Sequence, residues 1–159
     1  MSATHPVALD DVDRRLLAAL LEDGRISVNE LATRASVSRA TAYSRFERLR
    51  RSGVLKGFHA DLDPVAVGQP IAAIVLVDVN QGDWPRLRAE LVQLPGVEWL
   101  ALTSGTFDFL LLVRAADMQS LRDLVLLRLQ AMKAVRSTQT IFVMDEQHRP
   151  PFLDALTEG

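Results

Sequence analysis

Ser27 to Lys56 reads SVNELATRASVSRATAYSRFERLRRSGVLK, and this stretch sets the architecture of the front of the chain. Ser27-Val-Asn-Glu30 is a capping box, in which the serine hydroxyl and the glutamate carboxylate satisfy each other's orphan amides. The short helix it opens is predicted to run to about Ala35, burying Leu31 and Val28. Ser36-Val-Ser38 then makes a tight polar connection. Ser38 caps a longer helix that reaches about Ser52 and stops at Gly53. Ala42, Phe46 and Leu49 recur on one face of that helix at spacings of four and three, the signature of a buried stripe.

With the stripe removed, Arg39, Thr41, Tyr43, Ser44, Arg45 and Arg48 remain on the outward side. Small polar and guanidinium groups of this kind read base edges and clamp phosphates. Between Arg34 and Lys56 there are seven bases (Arg34, Arg39, Arg45, Arg48, Arg50, Arg51, Lys56) and one acid, Glu47. One acid cannot pair seven bases, so a face laced with ion pairs along the helix is the poorer reading and contact with a polyanion the better one. A short helix, a tight turn and a longer helix form a helix-turn-helix, whose second helix enters the major groove of double-stranded DNA. Ser38, Ala40 and Thr41 are small enough to let its N-terminal end approach phosphate.

Upstream, Asp10 caps a helix to about Glu22 with Val12, Leu16, Leu17 and Leu20 at helical spacing, and Gly24 stops it. Downstream, Val54 to Phe58 and His59 to Leu62 are predicted to be two short strands, a wing from which Lys56 reaches a backbone phosphate. Asp63-Pro64 and Gly68-Gln-Pro70 punctuate a linker. The expected organisation is therefore residues 1–62 as a winged helix-turn-helix, a linker at 63–70, a second unit at 71–147 and a tail at 148–159.

The second unit has a different grammar. Ile71 to Val79 reads as a strand, and Asp83-Trp84 opens a helix that ends at Gln93. Val97 to Thr103 and Phe107 to Val113 read as strands around the turn Ser104-Gly105-Thr106. Asp117 caps a helix from Met118 to about Gln130, and Val135 to Met144 is a last strand. The order β-α-β-β-α-β is ferredoxin-like, so the fold class is α+β. Ile71 to Val77 and Phe109 to Val113 are apolar at successive positions, and successive strand residues point to opposite faces. Two helices cover one face only, so the other is expected to find a second copy in a two-fold dimer. A tail folded back over that face is the alternative.

Composition narrows the chemistry. The chain has 159 residues, no cysteine and three histidines (His5, His59, His148) without ligand spacing, so neither a thiolate site nor a metal is expected, and no cofactor is called for. No apolar run is long enough for a membrane span, and the N-terminus has no signal-peptide pattern, which points to the cytoplasm. Residues 1–60 hold 10 basic and 7 acidic side chains (+3); residues 61–159 hold 8 and 13 (−5), together the net −2. A basic front and an acidic back suit units with different partners.

The chain resembles the Lrp/AsnC, or feast/famine, family of regulators from about residue 8 to 146. The resemblance is carried by Leu9-Asp-Asp-Val-Asp13, Asp23-Gly-Arg-Ile-Ser27, Glu30-Leu-Ala32, Val37-Ser38, Arg48-Leu49, Ser52-Gly-Val-Leu55, Gly57-Phe58 and Leu62-Asp-Pro64. In the second unit it is carried by Leu94-Pro-Gly-Val97, Ser104-Gly-Thr-Phe-Asp108 and Val135-Arg-Ser-Thr138. It implies a transcription regulator, dimers assembling to octamers or similar rings, and an amino acid or related metabolite as effector. That effector would sit between dimers near the Ser104–Asp108 turn. Gly105 would let backbone amides approach a carboxylate, and Asp108 would accept from an amine; Ser137 and Thr138 are weaker candidates. The plain alternative is a hairpin turn whose backbone Asp108 fixes. Thr106 stands where many members carry an acid, and Met132-Lys-Ala-Val135 where they often have Leu-Pro-Gly-Val.

Other classes fit less well. No Ser/His/Asp order, phosphate-cradling glycine loop or paired carboxylates suggests an enzyme. A metabolite-binding oligomer without DNA-binding activity is opposed by the basic excess, and RNA binding by the absence of an aromatic platform beyond Tyr43.

Overall fold

The computed structural model describes residues 7–80, 84–147 and Leu156. The chain divides into two units, one of residues 1–60 with 148–159, the other of residues 61–147.

The first unit is built on three helices, α1 (Asp11–Glu22), α2 (Val28–Arg34) and α3 (Arg39–Arg51). Each starts where a side chain satisfies its free amides. Asp10 accepts from the Asp13 N–H while the Asp13 carboxylate accepts from the Asp10 N–H, a reciprocal box. Ser27 accepts from the Glu30 N–H and Ser38 from the Thr41 N–H. The α2–α3 turn is closed by Val37 N–H donating to Ala32 O, with Ser36 left-handed at φ 56°. Leu16, Leu31, Ala35, Ala42 and Leu49 are at most 2% exposed and form the centre of the core. Burial of each leucine stabilises the unit by about 1.5–3 kcal/mol.

The expected wing strands are not formed: residues 54–62 contain no strand. The segment packs on the helices instead of pairing with itself. Val54 and Leu55 join the helical core, and the Phe58 ring stacks on Phe46 with centroids 6.4 Å apart. Leu156 also packs on this core; the rest of the tail, like Asp83, lies outside the described residues.

The second unit runs β1 (Ile71–Val79), α4 (Trp84–Leu91), β2 (Val97–Leu102), β3 (Phe109–Ala115), α5 (Met118–Asp123) and β4 (Val135–Phe142), the expected order. After Asp123, α5 continues as a π-helical stretch over Leu124–Leu129, a widening that the sequence pattern did not reveal. The sheet order is β2-β3-β1-β4, with every neighbouring pair antiparallel. Val75, Val77, Leu111 and Val113 face the helices and pack on Leu87, Leu91, Leu121 and Leu129. Alternate residues Ile74 and Leu76 of β1, Leu110 and Leu112 of β3, Trp99 of β2 and Ile141 of β4 lie on the other face, as their cross-strand registers require. Trp99 and Ile141 are 43% and 47% exposed there.

β3 begins at Phe109, two residues later than the sequence suggested. Asp108 is occupied in closing the preceding turn, as described below. At the opposite end of the sheet, Gly96 has φ 84° and a Cβ there would overlap the Arg114 carbonyl oxygen, so the Leu94–Val97 turn requires glycine.

Candidate nucleic-acid interface and effector region

The cap places Ser38 and Thr41 at the start of α3, their hydroxyls 2.9 Å apart and bonded to each other. Arg39, Tyr43 and Ser44 are exposed, Tyr43 by 57%. Thr41, Arg45 and Arg48 share a different flank, since residues three and four apart align on a helix. That flank faces the start of α1. Arg45 Nη1 donates to Asp10 Oδ2 at 2.5 Å and reaches Asp13 at 3.4 Å, while Arg48 Nη2 donates to Asp13. Asp13 has no exposed surface. The N–H of Asp13 and the guanidinium of Arg45 pull the Asp10 carboxyl down to about 2, and Asp10 in turn raises Arg45 above its ordinary value.

This geometry corrects the charge argument made from sequence. Counting acids only between Arg34 and Lys56 missed the carboxylates that other segments bring in. Arg34 pairs with Glu22 and Glu30, Arg45 with Asp10 and Asp13, Arg48 with Asp13, and Arg50 with Glu47. Among the described residues, Arg39, Arg51 and Lys56 are the bases of that window without an ion pair. A legible signal existed: Asp13 stands with Leu16, Leu17 and Leu20 on the buried stripe of α1, and an acid at such a position requires a partner.

In the second unit, Ser104, Gly105 and Thr106 form an exposed turn. Thr103 N–H donates to Asp108 O, Asp108 N–H to Val77 O, and Val79 N–H to Asp108 Oδ2 at 2.9 Å. One oxygen of the Asp108 side chain therefore fixes the β1 backbone at Val79, while the main-chain carbonyl of Asp108 closes the turn. Nothing lies within 4 Å of a Cβ built on Gly105. Val77 pairs with Phe109 on one side and Thr138 on the other, so the turn and residues 137–138 meet at one end of the sheet, across β1. Thr138 accepts from Gln130 Nε2, and Ser137 points to the open face, 3.4 Å from Asp78. Asp78 is 9% exposed and holds Arg136 at 2.7 Å, a pair that sequence reasoning passed over. Among the described residues no cluster of three or more His, Cys, Asp or Glu could hold a metal, and no helix is long and apolar enough to cross a membrane.

A capped helix-turn-helix ahead of a βαββαβ sheet defines a DNA-binding regulator with a separate sensing unit. The AsnC-type helix-turn-helix domain model matches residues 9–50 and the Lrp/AsnC ligand binding domain model matches residues 72–151. The HTH-type transcriptional regulator LrpA of Mycobacterium tuberculosis is 39% identical over 150 residues, covering 90% of this chain and 98% of its own. The leucine-responsive regulatory protein of Salmonella typhimurium is 34% identical over 141 residues, covering 87% and 86%. A transcriptional regulator from Neisseria meningitidis, solved in complex with L-Met, superposes with a TM-score of 0.84 at 27% identity over 91% of this chain and 95% of its own. The chain belongs to the Lrp/AsnC family of transcriptional regulators. It is a DNA-binding regulator with a ligand-binding domain, and the family is not one of enzymes.

Proposed function

We propose that this regulator grips double-stranded DNA in the cytoplasm through α3, with Arg39, Tyr43, Ser44, Arg45 and Arg48 toward base edges in the major groove and Lys56 toward a phosphate. Ser38 and Thr41 hold the helix end against the backbone. The observation that carries this reading is the exposed side of α3, where Arg39 and Arg51 have no carboxylate partner among the described residues. Cations left unneutralised there are available to replace counterions on a duplex.

The second unit takes a free amino acid at the sheet end bearing Ser104, Gly105, Thr106 and Asp108, with Ser137 and Thr138 across β1. Support comes from the exposed turn, from the open space at Gly105 and from the second carboxylate oxygen of Asp108, which takes no hydrogen bond among the described residues. A turn so exposed encloses a ligand when another copy covers it. The apolar open face of the sheet supplies the dimer contact, and dimers assemble further, to an octamer or similar ring. A duplex enriched by the protein from a random-sequence pool, titrated with the twenty amino acids under thermal shift and gel shift, tests both halves. The expected result is tight, salt-sensitive binding that one amino acid changes. Binding indifferent to sequence and to every amino acid would overturn the reading.

A further inference from the structure

Arg45 and Arg48 lie on the flank of α3 nearest α1, and neither is held by its own helix. Both converge on Asp13, which is fully buried, while Asp10 accepts from the same Nη1 of Arg45. Asp13 is itself fixed twice, by the core around it and by its bond from the Asp10 N–H. A carboxylate this rigid is a costly thing to bury unless its partners are well placed.

Among the described residues the contacts of Arg45 all run through Nη1, which leaves Nε and Nη2 for another acceptor. Its side chain is 33% exposed and that of Arg48 is 42% exposed. Arg45 is thus tethered at one nitrogen and open at its edge, whereas Arg48 is tethered at Nη2 with its Nε buried and without a partner among the described residues, which leaves Nη1 to reach outward. Long arginine side chains lose much rotamer freedom when they engage a ligand, and anchoring beforehand removes part of that cost.

We propose that Asp13 is a positioning residue for DNA recognition: it touches no DNA and sets sequence discrimination by holding Arg45 and Arg48 in one presentation, with Asp10 steadying Arg45. The inference rests on the interface proposed above. It separates two quantities that a purely structural role would move together. Removing the negative charge adds net positive charge beside the duplex, which favours binding to any sequence. Releasing the arginines at the same time lets them follow phosphates wherever they lie, so preference for one sequence falls.

The test compares wild type, Asp13→Asn, Asp10→Asn, Arg45→Ala and Arg48→Ala on the enriched duplex and on a scrambled duplex of equal length, across a salt series. Asp13→Asn is expected to lower the ratio of the two affinities about tenfold, with affinity for the scrambled duplex held or raised and a steeper salt dependence. Asp10→Asn keeps a good helix cap, because asparagine caps as well as aspartate, so it carries the test even where Asp13→Asn folds poorly; a smaller loss of ratio is expected. An unchanged ratio in both aspartate variants, or parallel loss on both duplexes tracking melting temperature, overturns the proposal. Should Arg45→Ala and Arg48→Ala both leave the enriched duplex bound as before, the interface itself is wrong and the positioning role goes with it. Weakened arginine variants beside unaltered aspartate variants reject the positioning role alone.

Discussion

Arg48 on α3 reaches back to a fully buried Asp13 on α1, so the helix assigned to DNA is fastened by charge to the helix that supports it. Asp13→Ala is expected to destabilise the first unit by about 2–4 kcal/mol, below the range for a wholly buried pair because Arg48 is partly solvated. Urea denaturation of the variant against wild type measures it; a loss under about 0.5 kcal/mol would show the pair contributes nothing.

Acid should loosen the same corner. Asp10 titrates at about 2 in the folded chain against the ordinary 3.8. A depressed carboxyl pKa contributes stability that is present above the unfolded value and lost as pH falls through the folded one. Asp117, lowered by the Ser120 N–H, has the same sign. Melting temperature is therefore expected to fall as pH drops from about 4 toward 2, and Asp10→Asn should flatten that limb. An identical acid limb in the variant would remove Asp10 as a contributor.

The two turn glycines of the second unit should behave oppositely. Gly96→Ala forces a Cβ into the Arg114 carbonyl at a positive φ and is expected to cost about 2 kcal/mol or more. Gly105→Ala meets nothing and should change stability by less than about 0.5 kcal/mol. Gly105→Arg, in contrast, should alter the response to the effector or assembly beyond the dimer while leaving dimers intact. Sedimentation with and without the effector reads this out.

Trp99→Glu and Ile141→Glu place charge on the open face of the sheet. Each is expected to shift the protein toward monomers in sedimentation velocity at micromolar concentration, since an unpaired charge opposes burial of that face. Dimers persisting in both variants would move the contact elsewhere.

Arg39→Ala and Lys56→Ala, neither tied to a carboxylate among the described residues, should each weaken DNA binding and reduce the salt slope by about one. A salt titration of wild type and variants decides this. An unaltered slope in both would place the duplex elsewhere on the molecule.

Helices with a serine or aspartate cap and a regular apolar stripe were legible, because cap and periodicity are local properties of the chain. So was the βαββαβ order, written in β-branched runs and turn residues. The wing was misread for a reason outside its own residues: Phe58 finds Phe46, and Val54 and Leu55 find the helical core, so tertiary packing overrides strand propensity. The charge of α3 was misjudged in the same way. A window along the sequence counts neighbours in the chain, whereas Asp10 and Asp13 neutralise arginines more than thirty residues away. Of the effector candidates, the Ser104–Asp108 turn was visible as a turn. The bond that Asp108 accepts from the Val79 N–H was not, since it depends on how two distant strands register.

Leu156 lines an apolar slot of about 290 Å³ together with Leu9, Leu17, Leu20, Val54 and Phe58. The head thus borrows a side chain from the far end of the polypeptide. A fragment stopping at residue 60 would expose greasy surface that the intact chain covers, and ought to be stickier and softer than its sequence alone suggests. Whoever trims this protein to its first sixty residues for crystallography or nuclear magnetic resonance should graft the closing residues back on.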